Sequence, residues 1–345
     1  MEQVAWPAQH DALDEVPPPC ASTRLVGHER AVGEMLAIAR SGHHAILLDG
    51  QHGIGKATAA FHLANALLSG PLPPGDTLPA PKPDAAIHRQ IAQGAHPNLI
   101  HLTRPQNDKG SGFKTVITVD EVRRVQHFLS MTASADQPRI VIVDPVGDMQ
   151  RGAANALLKT LEEPPANTLF LLVSHGASGL LPTIRSRCQR VRFETLADAD
   201  VAAVITHVGG AVAEPDIDRL AALAGGRPRH ALTLALYGGG ELRDSLDRLF
   251  TAPRFDTALA HKLAEVAGAR GNDTHNALLR EMMAEMLMGR ARSAALGGDR
   301  RNADRIAAFQ QALGAQWRQA DAFGLDRKQE FLVATQRVHA LMHGG

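Results

Sequence analysis

Apolar residues fall into two regimes along this chain. Up to Thr195, short unbroken apolar runs alternate with stretches of helical spacing; beyond it only the helical spacing persists. Four runs read as buried strands, at residues 45–48, 98–102, 139–144 and 168–173, and residues 190–193 read as a short fifth. The run at 139–144 is rich in β-branched side chains, the mark of a central strand covered on both faces, with Asp144 at its carboxyl end. The run at 168–173 continues into Ser174 and His175 at the same end. Between these runs the spacing predicts helices. One covers residues 27–40, with Val32, Met35, Leu36 and Ala39 on one face, and another covers residues 56–68. A third opens with Asp120 as its N-cap and buries Val122, Val125, Phe128 and Leu129; a fourth runs from about 155 to 161 and stops at Pro164 and Pro165. Strands separated by helices imply a parallel sheet, whose ligands bind outside the carboxyl ends of the strands.

The same pattern divides the chain. Residues 1–22 read as a mobile arm, because Pro17, Pro18 and Pro19 suit neither a helix interior nor a sheet ladder. Residues 23–195 form the α/β domain. Within it, residues 70–84 carry six prolines and read as an exposed excursion without regular structure. Residues 196–240 read as short helices broken at Gly209 and Gly210 and at Gly225 and Gly226, and residues 241–345 as longer helices. The methionines at 282, 283, 286 and 288 lie on several helix faces, and at least half read as core fillers.

Composition narrows the function classes. With 345 residues the chain exceeds one ordinary core. Lys plus Arg and Asp plus Glu are both 36, so net charge does not advertise a nucleic acid or an anionic membrane. Cys20 and Cys188 are the only cysteines, which argues against a disulfide framework and a four-cysteine zinc site and points to a reducing cytoplasm. The acidic, proline-bearing N-terminus does not read as a secretory signal, and no apolar run approaches the roughly 20 residues that span a bilayer.

The richest chemistry follows the first strand. Gly50, Gly53, Gly55 and Lys56 fit the pattern G-x-x-x-x-G-K-[ST], in which backbone N–H groups converge on a phosphate at a helix start and the lysine reaches the terminal phosphates. The last position fails: Ala57 stands where a hydroxyl would hold magnesium. Thr58, one residue later, is turned away by about 100°. A phosphate cradle is expected, and ATP or ADP fits it, while hydrolysis is not expected. Asp144 is either a turn residue or, paired with this loop, a magnesium-linked carboxylate.

Other candidates stay open on the residues alone. Arg187 in Ser186-Arg187-Cys188 is an ordinary surface arginine or a guanidinium presented to a phosphate in a neighbouring subunit. Cys188 reads as a packing residue. Arg229, at a helix start, contacts a phosphate or is simply solvated. His43, His44, His96, His101 and His175 do not fall at metal-ligand spacings, so no metal is predicted.

Taken together, GQHGIGKAT, IVIVDPVGDM, NALLKTLEEPPANTLFLLVS, LPTIRSRCQRVRF and GGRPRHAL resemble the bacterial clamp-loader branch of the AAA+ family, over about residues 24–236 and more weakly beyond. The resemblance implies a RecA-like domain, a small helical lid and a helical collar that joins a pentameric ring of the DNA polymerase III holoenzyme, a DNA-directed DNA polymerase and hence a nucleotidyltransferase. It places Gly50, Gly53, Gly55 and Lys56 in the phosphate loop, Asp144 in the Walker B position, Ser174 in the sensor-one position and Arg229 in the sensor-two position. Arg187 becomes a finger offered in trans to ATP on an adjacent tau/gamma subunit. Implied partners are tau/gamma and delta, with the sliding clamp and primed DNA reached through the assembled complex; no membrane is implied. The hydrolysing tau/gamma subunits carry an acid after the Walker B aspartate, where this chain has Pro145, and a four-cysteine zinc module, which it lacks. The similarity therefore points to a non-hydrolysing member. The alternatives are an active ATPase of the tau/gamma type and a DNA-binding ATPase outside replication.

Overall fold

The computed structural model describes residues 6–13, 15–107, 112–131, 137–176, 180–208 and 217–343. By its internal contacts the chain divides into two compact units, Met1–Val212 with Ala221–Ala231, and Ala213–Leu220 with Leu232–Gly345.

The first unit is built on five parallel strands: β1 (Ala45–Asp49), β2 (Leu99–Leu102), β3 (Arg139–Val143), β4 (Thr168–Ser174) and β5 (Gln189–Arg192). Their order across the sheet is β2-β3-β4-β1-β5, so β1 lies between β4 and β5 and its end faces neighbours from much later in the chain. The helices of this part are α1 (Glu29–Arg40), α2 (Lys56–Ser69), α3 (Ala86–Ala92), α4 (Val119–Ser130), α5 (Arg151–Glu162), α6 (Pro182–Arg185) and α7 (Asp198–Val208).

Period-two alternation sorts the strand side chains onto two faces. Ile46, Leu48, Ile140, Ile142, Leu171 and Val173 join Met35 and Leu36 of α1 and Leu63 of α2 in one core cluster. Ala45, Leu47, Val141, Val143, Phe170 and Leu172 join Val122 and Val125 of α4 and Leu157 and Leu161 of α5 in the other. Burial of each large side chain is worth about 1.5–3 kcal/mol, so β1, β3 and β4, buried along nearly their whole length, anchor the unit. This is the parallel α/β arrangement expected from the strand and helix pattern, and it agrees with the RecA-like domain that the resemblance implies.

Several boundaries differ from expectation. Helix α4 begins at Val119 after Thr118, so Asp120 stands inside the first turn, where its charge favours the positive end of the helix, and is not the N-cap. Helices α3 and α6 are too short to leave a periodic signal; α3 turns His88 and Ile91 inward. Pro19–Ala21 forms one 3-10 turn, with Pro19 at its first position, and Gln9, Pro18 and Cys20 in the N-terminal stretch are buried. Residues 70–84 hold neither helix nor strand, and the Arg40 guanidinium clips them in place through the carbonyls of Pro73 and Gly75, at 2.6 Å each.

The remaining helices are α8 (Ile217–Leu223), α9 (Pro228–Leu236), α10 (Gly239–Thr251), α11 (Thr257–Gly268), α12 (Asp273–Leu296), α13 (Arg300–Phe323) and α14 (Arg327–His343). In the second unit the Arg280 guanidinium on α12 bonds Asp321 of α13 at 2.9 Å and Glu330 of α14 at 2.6 Å, tying three helices together. Of the four clustered methionines, Met282 and Met283 are buried and Met288 is exposed. Among the described residues no helix is long and apolar enough to cross a membrane.

Candidate nucleotide site

The carboxyl ends of β1, β3 and β4 bring the loop, Asp144 and Ser174 to one edge of the sheet. Asp49 and Ser174 are register partners across β1 and β4, and Val143, next to Asp144, pairs with Leu172. The loop at residues 50–56 leaves β1 and runs into α2. Gly53 lies at φ 77°, a region that disfavours side chains, and a Cβ there would come within 2.9 Å of the Cβ of Arg229. A Cβ on Gly50 would meet the backbone oxygen of Phe193 at 2.5 Å. The His28 ring supports the loop from below: its Nε2 donates to the Ile54 carbonyl at 2.6 Å, which sets the tautomer, since a carbonyl only accepts.

Lys56 is almost fully buried. Its ammonium donates to the Gly50 carbonyl at 3.0 Å and to the Gln51 carbonyl, so it folds over the loop. Burial pulls its pKa down to about 8, against the raising influence of Asp144 and Asp49. Burial pushes the Asp144 carboxyl up to about 7, with a further push from the charge of Asp11 and an opposing pull from Lys56. Near neutrality Lys56 is thus largely charged while Asp144 is poised between acid and carboxylate. Asp49 lies beside them, clamped by the Arg190 guanidinium of β5 through Nε at 2.9 Å and through Nη2.

Ser174 is buried and spends its hydroxyl on its own turn, donating to the Gly176 carbonyl at 3.0 Å. Arg229 opens α9 against the loop: its backbone N–H donates to the Gly53 carbonyl at 3.1 Å. Its guanidinium reaches Asp11, whose backbone carbonyl accepts from Nη2 and whose Oδ2 lies 3.5 Å from Nη1. Asp11 Oδ2 is also 3.9 Å from Nε2 of His52, and the His52 ring meets that of His175 edge-on at 4.6 Å. Sequence reasoning missed Asp11, His52 and His175 as members of this cluster. His52 and His175 adjoin motif residues and were within reach of it; Asp11 carries no local signal.

Arg187 is not part of this cluster. It pairs with Glu162 at 2.6 Å and donates to the Thr183 carbonyl at 3.1 Å, with about a third of its side chain exposed. The Ser186 hydroxyl donates to the same carbonyl at 3.1 Å. Cys188 packs against the apolar cluster, and burial pushes its thiol up to about 12, which keeps it protonated and unreactive.

The donor set fits a phosphate better than a metal. The loop backbone at the start of α2 and the charges of Lys56 and Arg229 suit an anion. The magnesium position lacks a hydroxyl at Ala57, and Asp144 is a reluctant carboxylate. The arrangement can therefore hold phosphates, and no cleavage step follows from it.

Comparison with known proteins bears on the same residues. Residues 30–197 match the family described as DNA polymerase III, delta subunit. The DNA polymerase III subunit delta' of Pseudomonas aeruginosa is 35% identical over 210 residues, covering 58% of this chain and 58% of that protein. That of Haemophilus influenzae is 33% identical, covering 61% and 60%. The DNA polymerase III subunit tau of Bacillus subtilis is 29% identical, covering 64% of this chain and 38% of its own length. The chain thus spans less than two thirds of the length of the relatives it matches. Over its loop, its sheet and the segment through Arg187, at residues 30–197, the chain is similar to the DNA polymerase III delta subunit family and to the delta' subunits of that polymerase.

Proposed function

We propose that this chain is a delta-prime-type clamp-loader subunit, a largely non-hydrolysing AAA+ member that supports ATP-driven loading of a sliding clamp onto primed DNA in the cytoplasm. The observation that carries this reading is the pair of missing groups around an intact cradle. Gly50, Gly53, Gly55 and Lys56 persist, while Ala57 offers a methyl in place of a metal-binding hydroxyl and Pro145 follows Asp144 where a water-polarising acid is needed. Asp144, Ser174 and Arg229 take the Walker B, sensor-one and sensor-two places in this reading. Residues 196–240 act as the lid and residues 241–345 as the collar that meets tau/gamma and delta.

Energy then comes from a neighbour's nucleotide. Arg187 on the segment between α6 and β5 is the finger, offered to ATP on the adjacent tau/gamma subunit. Its pairing with Glu162 does not prevent this, since a half-exposed ion pair is worth only about 0–1 kcal/mol. An arginine finger is worth about 10³ to 10⁵ in rate at the site it serves.

Two measurements test the reading. Steady-state ATP hydrolysis by the isolated chain is expected at background, and turnover abolished by Lys56→Ala would favour an ATPase of the tau/gamma type. In a complex reconstituted with tau/gamma and delta subunits, Arg187→Ala is expected to leave assembly intact and to cut DNA-stimulated hydrolysis; unchanged hydrolysis removes the finger.

A further inference from the structure

We propose that the N-terminal stretch is a built-in competitor for the phosphate site: the Asp11 carboxylate takes the place of a nucleotide's phosphate on Arg229 and His52, so that a nucleoside diphosphate or triphosphate binds only as Asp11 leaves. This deepens the reading of residues 50–56 as a phosphate cradle and rests on it, but not on the loss of hydrolysis.

The contacts are those of a ligand mimic. Asp11 offers two acceptors to one guanidinium, its carboxylate 3.5 Å from Nη1 of Arg229 and its backbone carbonyl bonded to Nη2. The same carboxylate oxygen faces His52, a loop residue two positions before Gly55's neighbour Ile54. An anion held by an arginine at a helix start and by the side chain of a glycine-rich loop is the arrangement expected of a bound phosphate. Its field reaches the rest of the site: the charge of Asp11 helps to keep Asp144 protonated. Burial alone would raise the Asp11 carboxyl, yet His52 and Arg229 hold it below the usual carboxylate range.

The chain on either side is held down as well. The His10 ring bonds the Thr103 hydroxyl at 3.2 Å, just past the end of β2, and packs edge-on against Phe113. The Gln9 side chain reaches the buried Cys20 at 3.8 Å, and the Cys20 thiol donates to the Ala92 carbonyl at 3.6 Å. Ala12 closes a turn back onto the Gln9 carbonyl at 3.2 Å, which presents Asp11 at its tip. Asp11 is therefore delivered to the carboxyl edge of the sheet by a segment with its own seats, at the position where ligands of parallel sheets bind.

The test is equilibrium binding of a fluorescent ADP analogue to the full chain, a readout independent of turnover. Asp11→Ala is expected to tighten binding by about tenfold or more, the worth of one charge-assisted contact, and Lys56→Ala in the Asp11→Ala background is expected to abolish it. In the unaltered chain, ADP is expected to speed hydrogen exchange at residues 7–13. Binding no tighter in Asp11→Ala than in the unaltered chain overturns the proposal, including the case in which neither binds. So does binding that survives Lys56→Ala, or exchange at residues 7–13 that ADP leaves unchanged or slows. Hydrolysis by the isolated chain would overturn the non-hydrolysing reading and leave this competition standing.

Discussion

Asp144 and Lys56 show how burial, more than pairing, sets protonation at the carboxyl edge of the sheet. A carboxyl whose pKa rises to about 7 in the folded chain, from an ordinary value near 4, binds more protons folded than unfolded between those limits. The stability it contributes is full below about 4 and is lost as pH rises through about 7. Asparagine keeps the shape and carries no charge, so Asp144→Asn is expected to stabilise the chain above pH 7, by on the order of 1–3 kcal/mol, and to have little effect at pH 4. Urea midpoints at pH 8 and pH 4 measure this directly; equal effects at both would show that Asp144 is already ionised at little cost.

Among the elements, the tie between α12, α13 and α14 is the one whose removal is best defined. Arg280 is mostly buried and lies 5.5 Å from the centre of the Trp317 ring, while Glu330 is buried and its carboxyl is raised by that burial against the pull of Arg280. Deleting the cation strands the acid, and Arg280→Ala is expected to cost about 3–5 kcal/mol. Adding Glu330→Gln, which removes the stranded charge, should restore part of it; thermal unfolding of the single and double variants checks the sign of the coupling. At this scale the sheet was legible in the sequence, because β1, β3 and β4 are continuous apolar runs and burial on both faces leaves such runs behind. Helices α3 and α6 were not, since seven and four residues do not complete a periodic pattern. Of the site, the loop, Asp144 and Arg229 could be named beforehand because each sits in a local motif. Asp11 could not: its partners are His52 and Arg229, the second more than two hundred positions away, and long-range pairing of a lone acid leaves no spacing to read.

Across the whole molecule, equal numbers of acids and bases leave little net charge to drive pH dependence, so individual buried groups decide it. Burial lowers His62 and His101 to about 4 and His175 to about 3, and each must gain a proton to match the unfolded chain as pH falls below its ordinary value of 6.5. Their contribution is present above that value and is lost toward pH 4. Asp144 acts in the opposite direction in the same window. Burial also lowers His10, His28, His88 and His96, while Glu330, raised like Asp144, acts against them; the histidines outnumber the two carboxyls, so stability should rise between pH 4 and 6.5. Midpoints of denaturant unfolding, followed by amide exchange in β1 and β4, test this; a flat profile would mean that these rings are charged in the folded chain.

The close approaches at Gly50 and Gly53 bear on how such a motif should be read. Any side chain at 50 would strike the main chain at Phe193, and one at 53 would displace Arg229. A polypeptide that never met a nucleotide would still be obliged to keep both glycines in order to fold. Their presence certifies the architecture, and a working engine has to be argued from the residues that follow them.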